Sequence, residues 1–401
     1  MHNIIIEEPY QFIPPHESRF WRPLMLRYIP RHLRRCHGIT QIECRGLEHL
    51  QRSIDAGHGV LLTPNHSRPA DPMTLGVLSQ QAHAPLFIMA SWHVFKQDWL
   101  QTFVVRHMGA FSVYREGMDK AAVSTAIDIL SQARRPLTIF PEGVITRSND
   151  RLLNMMEGTS FIARAAAKKR AKTDEGGKVV VHPVAMKYLY RGDIHETVDA
   201  VLNTIEQRLS WRSQNDLSNI ERLRKVGAAL LSLKETEYMG RPQNGELEER
   251  LAGLIDHLLV PLEDEWLEGR REDDTVMRVK NLRTAVLRDM VAGEVDESER
   301  DRRWRQLADM YLAQQLSFYS PGYIRDFPSA DRYLETVDRF EEDLTDKTRV
   351  HRPVEVVIQV GEPIEVSPKR DRSADGDPLM NTIREQLQGM LDELSHESTM
   401  A

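Results

Sequence analysis

The sequence predicts an α/β fold in which a mostly parallel sheet is flanked by helices and carries a large all-helical insertion. Between residues 46 and 192, short apolar runs alternate with stretches of helical periodicity. Runs of about four to eight residues that alternate with helices are typical of a largely parallel sheet. From residue 193 to residue 347, long charged stretches keep a helical period with almost no strand-like run. The strand pattern then returns near residue 354.

This order predicts that the 401 residues divide into three parts. Residues 1–39 form an N-terminal basic, amphipathic arm, and residues 193–352 form the helical insertion. Residues 40–192 and 353–401 form a single discontinuous α/β domain. At roughly 100–200 residues per domain, the length also allows two domains. Three roles are open for the insertion, namely a lid, a wall that selects the acceptor, and a partner-binding domain.

The individual elements follow from apolar periodicity and from Gly, Pro and polar boundaries. We predict strands over 60–62, 86–90, 110–114, 137–140, 179–188 and 354–360. In the α/β domain we predict helices over 47–56, 71–80, 98–107, 119–133, 157–170 and 378–394. In the insertion we predict helices over 194–211, 216–236, 245–268, 273–291, 297–317 and 330–345. Asp71 is a candidate cap for the helix that it begins.

Residues 17–35 form the most basic local stretch. Its six arginines, set against the single acid Glu17 and mixed with aromatic residues, are Arg19, Arg22, Arg27, Arg31, Arg34 and Arg35. Pro23 and Pro30 predict only short helical pieces here. Arginines beside aromatic residues are typical of an interfacial membrane element. The alternative is an arm that packs its apolar residues on the domain.

Charge and cysteine content narrow the classes of function. The net charge of -7 divides into +9 for residues 1–192, -10 for 193–352 and -6 for 353–401. A basic first half suits phosphates or lipid head groups, although uneven surface charge explains it equally well. With only Cys36 and Cys44, a reducing compartment is expected and a four-cysteine metal site is excluded. We expect no metal site, no nucleic-acid partner, no secretory signal and no membrane-spanning segment.

His66 and Asp71 are the candidate general base and its partner. They lie five positions apart in a loop that follows an apolar strand, where α/β sheets place ligands. A carboxylate on one ring nitrogen fixes the tautomer and leaves the other nitrogen available as a base. His93 and Asp98 have the same spacing in a different context. The alternative for the first pair is a loop histidine beside a helix cap.

Three further segments carry polar groups or turns near strand ends. Phe140-Pro141-Glu142-Gly143 continues a strand into a turn that can expose backbone N–H groups, and Arg147 follows it. Gly109-Ala110-Phe111 leads into Arg115, and His182-Pro183-Val184-Ala185 begins a late strand. Taken singly, these segments are compatible with an ordinary turn, a surface arginine and a plain strand.

Together and in this order, the four segments resemble the glycerolipid acyltransferase superfamily, in particular bacterial 1-acyl-sn-glycerol-3-phosphate acyltransferases. The resemblance covers residues 40–192 and extends to Val360-Gly361-Glu362-Pro363-Ile364, which is similar to the family's late strand and turn. It implies that His66 deprotonates an acceptor hydroxyl and that Asp71 orients His66. The hydroxyl would attack an acyl thioester directly, and backbone groups near Gly143 would hold the oxyanion. No Gly-x-Ser-x-Gly elbow is present, which disfavours a covalent serine intermediate.

The resemblance also implies partners. Arg115 and Arg147 would clamp an acceptor phosphate, and Glu142 would lie at the acceptor site. The donor would be acyl-CoA or an acyl carrier protein, used as a co-substrate with no further cofactor. The acceptor would be a lysophosphatidate-like lipid at a membrane surface, reached through residues 17–35. We therefore expect a cytoplasmic enzyme at the inner face of the membrane.

Three departures from the family pattern keep alternatives open. Val144 and Ile145 separate Gly143 from Thr146, which makes the position of Arg147 uncertain. Arg68 adds a basic group beside His66 and is a further candidate for substrate binding. The insertion has no counterpart in small members of the family. The alternatives are another acceptor, such as glycerol 3-phosphate or another lipid alcohol or amine, and a non-catalytic lipid-binding protein.

Overall fold

A computed structural model describes residues 5–18, 20–173, 177–347, 349–370 and 376–401. Its eight strands are β1 Ile39–Arg45, β2 Gly59–Pro64, β3 Phe87–Ser91, β4 Ala110–Val113, β5 Leu137–Thr138, β6 Val179–Tyr190, β7 Val354–Val360 and β8 Ile364–Glu365. The helices before β6 are α1 Trp21–Cys36, α2 Leu47–Asp55, α3 Asp71–Gln81, α4 Trp99–His107, α5 Lys120–Ser131 and α6 Gly158–Arg170. The later helices are α7 Ile194–Arg208, α8 Asn219–Met239, α9 Leu247–Trp266, α10 Thr275–Ala292, α11 Glu297–Ser317, α12 Gly322–Asp326, α13 Ala330–Thr345 and α14 Pro378–Ser395.

All eight strands form one sheet. Seven of them follow the order β1-β7-β6-β2-β5-β3-β4, and β8 pairs with β6. The pairs are parallel except where β6 meets β7 and β8. The β2 strand is buried along its whole length between β6 and β5, as expected for a central strand covered on both faces. The predicted α/β class, a mostly parallel sheet flanked by helices, is confirmed.

The helical insertion leaves the sheet after β6 and returns in β7, and these two strands are antiparallel neighbours from Val184–Val360 to Tyr190–Val354. Helices α7, α8 and α13 share the core of the sheet, through buried residues such as Leu202, Val226 and Val337. Helices α9, α10 and α11 pack around a second core, which includes Leu259, Leu282 and Met310 and which Leu231 of α8 also joins. The insertion is therefore part domain core and part separate bundle.

Residues 21–36 of the N-terminal arm form one continuous helix, so the prediction of short helical pieces is wrong. Pro23 lies in the first turn of α1, where backbone N–H groups have no acceptor within the helix. Pro30 lies inside α1 and removes one helical hydrogen bond. Packing compensates for this loss, because Leu26, Ile29 and Leu33 are buried in the main core. Residues 1–4 and Arg19, which belong to the predicted arm, lie outside the described residues.

The buried face of α1 packs on α3, and a glycine permits the close approach. A Cβ atom on Gly76 would lie 3.1 Å from Ile29 Cδ1 and 3.4 Å from Leu26 Cδ2. The other face of α1 leaves Phe20, Leu24 and Tyr28 more than half exposed, at 74%, 56% and 59%. None of the described helices combines the length and the apolar character that a bilayer crossing requires.

Candidate active site

His66 lies just beyond the end of β2, and the preceding residue fixes where the chain leaves the sheet. The Asn65 amide continues the pairing of β2 with β6, because its Nδ2 donates to Met186 O at 3.0 Å and its Oδ1 accepts from Met186 N–H at 2.7 Å. A side chain that satisfies both backbone groups of a neighbouring strand holds the loop rigidly. The following residue, His66, then points its ring away from the sheet into a cavity.

The His66 ring is held by Asp71, which is fully buried at the start of α3. His66 Nδ1 lies 2.8 Å from Asp71 Oδ2. Since an ionised carboxylate only accepts hydrogen bonds, this contact places the neutral ring's proton on Nδ1. Nε2 then offers its lone pair, and it has no hydrogen-bond partner among the described residues. The pair has the geometry of a histidine prepared to act as a general base.

Two further donors hold the Asp71 carboxylate. The Tyr188 hydroxyl donates to Oδ1, and the Arg68 backbone N–H donates to Oδ2 at 3.0 Å. Burial and the Asp71 charge raise the pKa of Tyr188 well above its ordinary value, so the hydroxyl keeps its proton. The Asp71 side chain does not cap α3, whose N-cap residue is Ala70. The proposed capping role is therefore wrong, because the carboxylate is occupied by His66, Tyr188 and Arg68.

The backbone of His66 is held by the loop that follows β5. Glu142 Oε1 accepts from His66 N–H at 2.9 Å, and Glu142 Oε2 accepts from Leu153 N–H at 2.7 Å. The Thr146 N–H donates to His66 O at 2.8 Å. Glu142 is only 1% exposed, and burial raises its pKa to about 7. In this structure Glu142 therefore binds two loops together beneath the site, and the cavity wall is formed by its neighbours Pro141 and Gly143.

Phe140 and Gly143 shape the surface beside the imidazole. The Phe140 ring stacks on the His66 ring, with centroids 4.1 Å apart and planes inclined by 26°. Gly143 has a φ of 68°, and its N–H donates to Phe140 O at 3.1 Å, which closes a tight turn. A Cβ atom at Gly143 would lie 2.6 Å from Met156 Cε, so glycine suits both the backbone angle and the space.

A cavity of about 1730 Å³ begins at His66 and extends beneath α1. Its lining is largely apolar and includes side chains from α1, α3, β3 and α4, among them Met25, Ile29, Met73, Ile88 and Val104. Lining residues that are also strongly exposed mark its opening, namely Leu24 at 56%, Tyr28 at 59%, Leu100 at 53% and Met118 at 85%. A cavity of this size and character fits a long apolar substrate.

The predicted phosphate-binding arginines lie in different surroundings. Arg115 lines the cavity after β4, and burial lowers its pKa. Arg147 also lines the cavity, but both of its terminal nitrogens donate to the Glu342 carboxylate of α13. The Arg68 guanidinium lies 4.7 Å from the centre of the Tyr188 ring and 3.8 Å from Glu335 Oε1. Only Arg115 among the three faces the cavity without an ion pair in the described chain.

The other histidines that sequence analysis considered have structural partners. His93 Nδ1 lies 2.9 Å from Ser91 Oγ, and burial together with Arg115 lowers the pKa of His93 to about 4. Asp98 instead caps α4 by accepting from Gln101 N–H at 2.7 Å. His182 contacts Gly361 O at 2.8 Å and Ser53 Oγ at 2.9 Å, so both ring nitrogens are used.

Sequence reasoning missed Tyr188, Lys280 and Arg283. Tyr188 reaches Asp71 because β6 lies beside β2, with Pro64 opposite Val184. Lys280 and Arg283 of α10 line the same cavity as His66 although they belong to the insertion. The residue pattern of β6 does not indicate a role for Tyr188. Nothing in the sequence of α10 indicates that this helix lies at the cavity. Within the described ranges, no group of three or more His, Cys, Asp or Glu side chains is placed to hold a metal ion.

Comparison with known proteins finds a family similarity within the first half of the chain. Residues 41–187 match the model of the Acyltransferase family. No curated protein matches the chain. The matched region runs from β1 into β6 and contains His66, Asp71, Arg115 and Glu142. It ends before the insertion, so the similarity to this family covers the chain from β1 to β6 and none of the helices from α7 to α13.

Proposed function

We propose that this protein is an O-acyltransferase that moves a fatty acyl group from an acyl thioester to the free hydroxyl of a lysophosphatidate-like acceptor. One observation carries the proposal. His66, oriented by a buried carboxylate, presents Nε2 to a long apolar cavity, within the part of the chain that matches the Acyltransferase family model. The cavity offers room for acyl chains, and the histidine supplies the base that an alcohol nucleophile needs.

The chemistry follows from the geometry of the pair. As the acceptor oxygen attacks the thioester carbonyl, His66 Nε2 takes the hydroxyl proton, and the buried Asp71 charge stabilises the resulting imidazolium. A new C–O bond gives a tetrahedral intermediate whose oxyanion backbone N–H groups beside Gly143 would hold. The intermediate collapses with cleavage of the C–S bond. The thiolate leaves and recovers the proton from His66, so no acyl-enzyme is formed.

The substrates are inferred from the same residues. Acyl-CoA or an acyl carrier protein would serve as co-substrate, and no further cofactor is needed for this transfer. Arg115 is the candidate contact for the acceptor phosphate, because a guanidinium matches phosphate oxygens with paired donors. Arg147 and Arg68 stay candidates only if they exchange their acidic partners Glu342 and Glu335 for substrate.

A second class of function is a lipid-binding protein that uses this scaffold without chemistry. The apolar cavity alone would support that function. The oriented His66, the two donors on Asp71 and the clamp from Glu142 to the His66 backbone support catalysis instead. Acceptors such as glycerol 3-phosphate or another lipid alcohol or amine change only the nucleophile.

The test is release of free thiol from long-chain acyl-CoA, or from an acyl carrier protein, when lysophosphatidate is supplied. His66→Ala should abolish the release while circular dichroism shows an unchanged fold. The control variant is His195→Ala, because His195 is exposed on α7 and is not among the residues that line the cavity. Full turnover by the His66→Ala protein would overturn the assignment of the base. A panel of acceptors offered with one donor then identifies the preferred nucleophile.

We also infer that the protein works at a membrane surface and lies peripherally at the cytoplasmic face. The opening of the cavity is bordered by exposed apolar residues of two helices, including Leu24 and Tyr28 of α1 and Leu100 of α4. Trp99, next to Leu100, is 80% exposed. Exposed arginines of α1 lie beside this border, at positions Arg27, Arg31, Arg34 and Arg35. Aromatic and basic residues together suit an interface with anionic lipid.

Co-sedimentation with vesicles tests this inference. Binding to anionic vesicles should exceed binding to zwitterionic ones, since each arginine near an anionic surface contributes about 1 kcal/mol. Neutralising Arg27, Arg31, Arg34 and Arg35 to Gln should remove most of the difference. The matched control neutralises four exposed arginines of the insertion, Arg208, Arg212, Arg224 and Arg288. Vesicle binding that survives the first set, or that falls equally with the second, would eliminate α1 as the membrane element.

A further inference from the structure

The helical insertion forms one wall of the cavity that contains His66. Helix α10 contributes Val276, Lys280 and Arg283, and α11 contributes Tyr311 and Gln314. Val276 also packs with Phe318 and with Val144, which lies next to Gly143 in the site loop. The insertion therefore touches the substrate space directly.

Three cations meet in this part of the cavity. Arg115 comes from the α/β domain, and Lys280 and Arg283 lie three residues apart on one face of α10. In the described part of the chain, none of the three forms an ion pair or a side-chain hydrogen bond. Arg283 is only 5% exposed, and its Nε and Nη2 atoms are buried without a partner. The acid that faces them is Glu116, whose charge acts on all three.

This arrangement differs from the other buried arginines of the insertion. Arg222, Arg278 and Arg303 pair with acids, and Arg339 donates to Gln315 O. On the same helix, Arg278 Nε lies 2.7 Å from Glu263 Oε1, and Arg278 Nη1 lies 2.7 Å from Asp256 Oδ1. In α8, Arg222 Nε lies 2.9 Å from Glu206 Oε1. A buried cation without a partner loses its hydration with no compensation. Arg283 therefore bears a cost that its neighbours avoid.

The charges and the burial of this cluster affect the pKa values of its members. Burial, followed by repulsion from Arg115, lowers the pKa of Arg283 to about 10. The same two causes lower the pKa of Lys280. With Glu116 ionised, three cations and one acid leave a charge of about +2 at neutral pH. A dianion bound among them would remove the repulsion and fill the vacant donors.

We propose that Arg115, Lys280 and Arg283 form a binding site for a phosphomonoester group of a substrate, so that the insertion selects phosphorylated substrates. This inference rests on the proposed function, because the identity of the lipid comes from it. A phosphomonoester carries a charge between about -1.5 and -2 at neutral pH and offers three oxygens. Guanidinium and ammonium donors match that charge better than they match a carboxylate or a phosphodiester. The acceptor's phosphate and the 3′-phosphate of CoA are the two sources of this group.

Binding in the inactive His66→Ala background tests the site without turnover. Lysophosphatidate should bind at least about tenfold more weakly when Arg283→Gln or Lys280→Gln is added, because each lost charged contact is worth that much or more. Monoacylglycerol, which lacks the phosphate, should bind equally to all variants. Arg288→Gln is the matched control, since Arg288 is exposed on α10 and outside the cavity lining. Thermal unfolding should show Arg283→Gln to be as stable as the parent or more stable.

A second arm distinguishes the two sources. Acyl-CoA is compared with an acyl-N-acetylcysteamine thioester, which has no phosphate. Weakened binding of lysophosphatidate assigns the site to the acceptor, and weakened binding of acyl-CoA alone assigns it to the donor. Unchanged binding of both phosphorylated ligands would overturn the site. Failure of the proposed function is a separate result, in which the wild-type protein binds these ligands with the same dependence on Arg283 but releases no thiol.

Discussion

At the scale of residues, the site depends on one buried carboxylate that satisfies several partners. Asp71 accepts from His66, from Tyr188 and from the Arg68 backbone. The pairing of His66 with Asp71 could be predicted because it depends on spacing within one loop. Tyr188 could not, because it reaches Asp71 only through the pairing of β6 with β2. Sequence spacing can therefore predict partners that lie close together in the chain, but not partners that meet only through strand pairing.

Glu142 should make stability depend on pH. Burial raises its pKa from 4.5 to about 7, so between these values the folded protein holds the proton more tightly than the unfolded chain. Its contribution is therefore complete below the unfolded value and lost as pH rises through about 7. Relative to Glu142→Gln, the wild-type free energy of unfolding should fall by up to about 3 kcal/mol between about pH 5 and about pH 8.

Urea unfolding of both proteins at the two pH values measures this difference. Glu385→Gln is the control, because Glu385 is exposed on α14 and its replacement should give a pH profile parallel to that of the wild type. Parallel profiles for Glu142→Gln and the wild type would show that Glu142 does not titrate in this range.

At the scale of elements, the loop after β5 departs from the predicted strand at the point that matters most to the site. The predicted strand over 137–140 ends at Thr138, although Ile139 N–H still donates to Leu62 O at 3.0 Å. From Phe140 onward the chain turns toward His66 and Met156 instead of continuing beside β2. Apolar composition alone does not locate that turn, because Ile139 and Phe140 suit a strand as well as a site wall.

Gly143 is the residue in this loop whose replacement should affect function more than stability. In Gly143→Ala the φ of 68° costs about 1–2 kcal/mol, and Met156 must also move away from the new Cβ atom. Because Met156 lines the cavity, acyl transfer should fall by about tenfold or more. The measurements are urea unfolding and kcat/KM for thiol release.

Gly240→Ala is the matched control for backbone strain. Gly240 ends α8 with a φ of 79°, and a Cβ atom there meets nothing within 4 Å. It should lose similar stability and keep full activity. Equal activity of the two variants would show that the space beside Met156 does not matter to the reaction.

At the scale of the whole molecule, periodicity located the helices of the insertion closely but did not reveal what they touch. The predicted helices 273–291 and 297–317 correspond to α10 Thr275–Ala292 and α11 Glu297–Ser317. Each is defined by contacts within the bundle, which repeat along the chain. The approach of α10 to Arg115 joins residues more than 150 positions apart, and no pattern within either segment encodes it.

Because the molecule has two cores, we expect the helical bundle and the sheet to lose stability independently of each other. Leu259 of α9 and Leu202 of α7 are both fully buried, the first in the bundle core and the second in the core of the sheet. Replacing either by Ala should cost about 2–5 kcal/mol. In hydrogen-exchange mass spectrometry, Leu259→Ala should speed exchange in α9, α10 and α11 while β6 and β7 stay protected.

Leu202→Ala provides the comparison, because it should speed exchange in α7, β6 and β7 together. The two-core description fails if Leu259→Ala exposes the sheet strands as strongly as Leu202→Ala does.

The antiparallel pairing of β6 with β7 affects the route by which substrates can reach the cavity. Both ends of the insertion are anchored in adjacent strands, and Arg147 ties the site loop to α13 through Glu342. A segment that is anchored at both ends, and held to the site loop near its C-terminal end, resists swinging outward as a flap. Lipids would then enter and leave through the opening of the cavity between α1 and α4, which Tyr28 and Leu100 border. The insertion then acts as a fixed wall of the cavity, and substrates enter on the side where α1 and α4 expose aromatic residues.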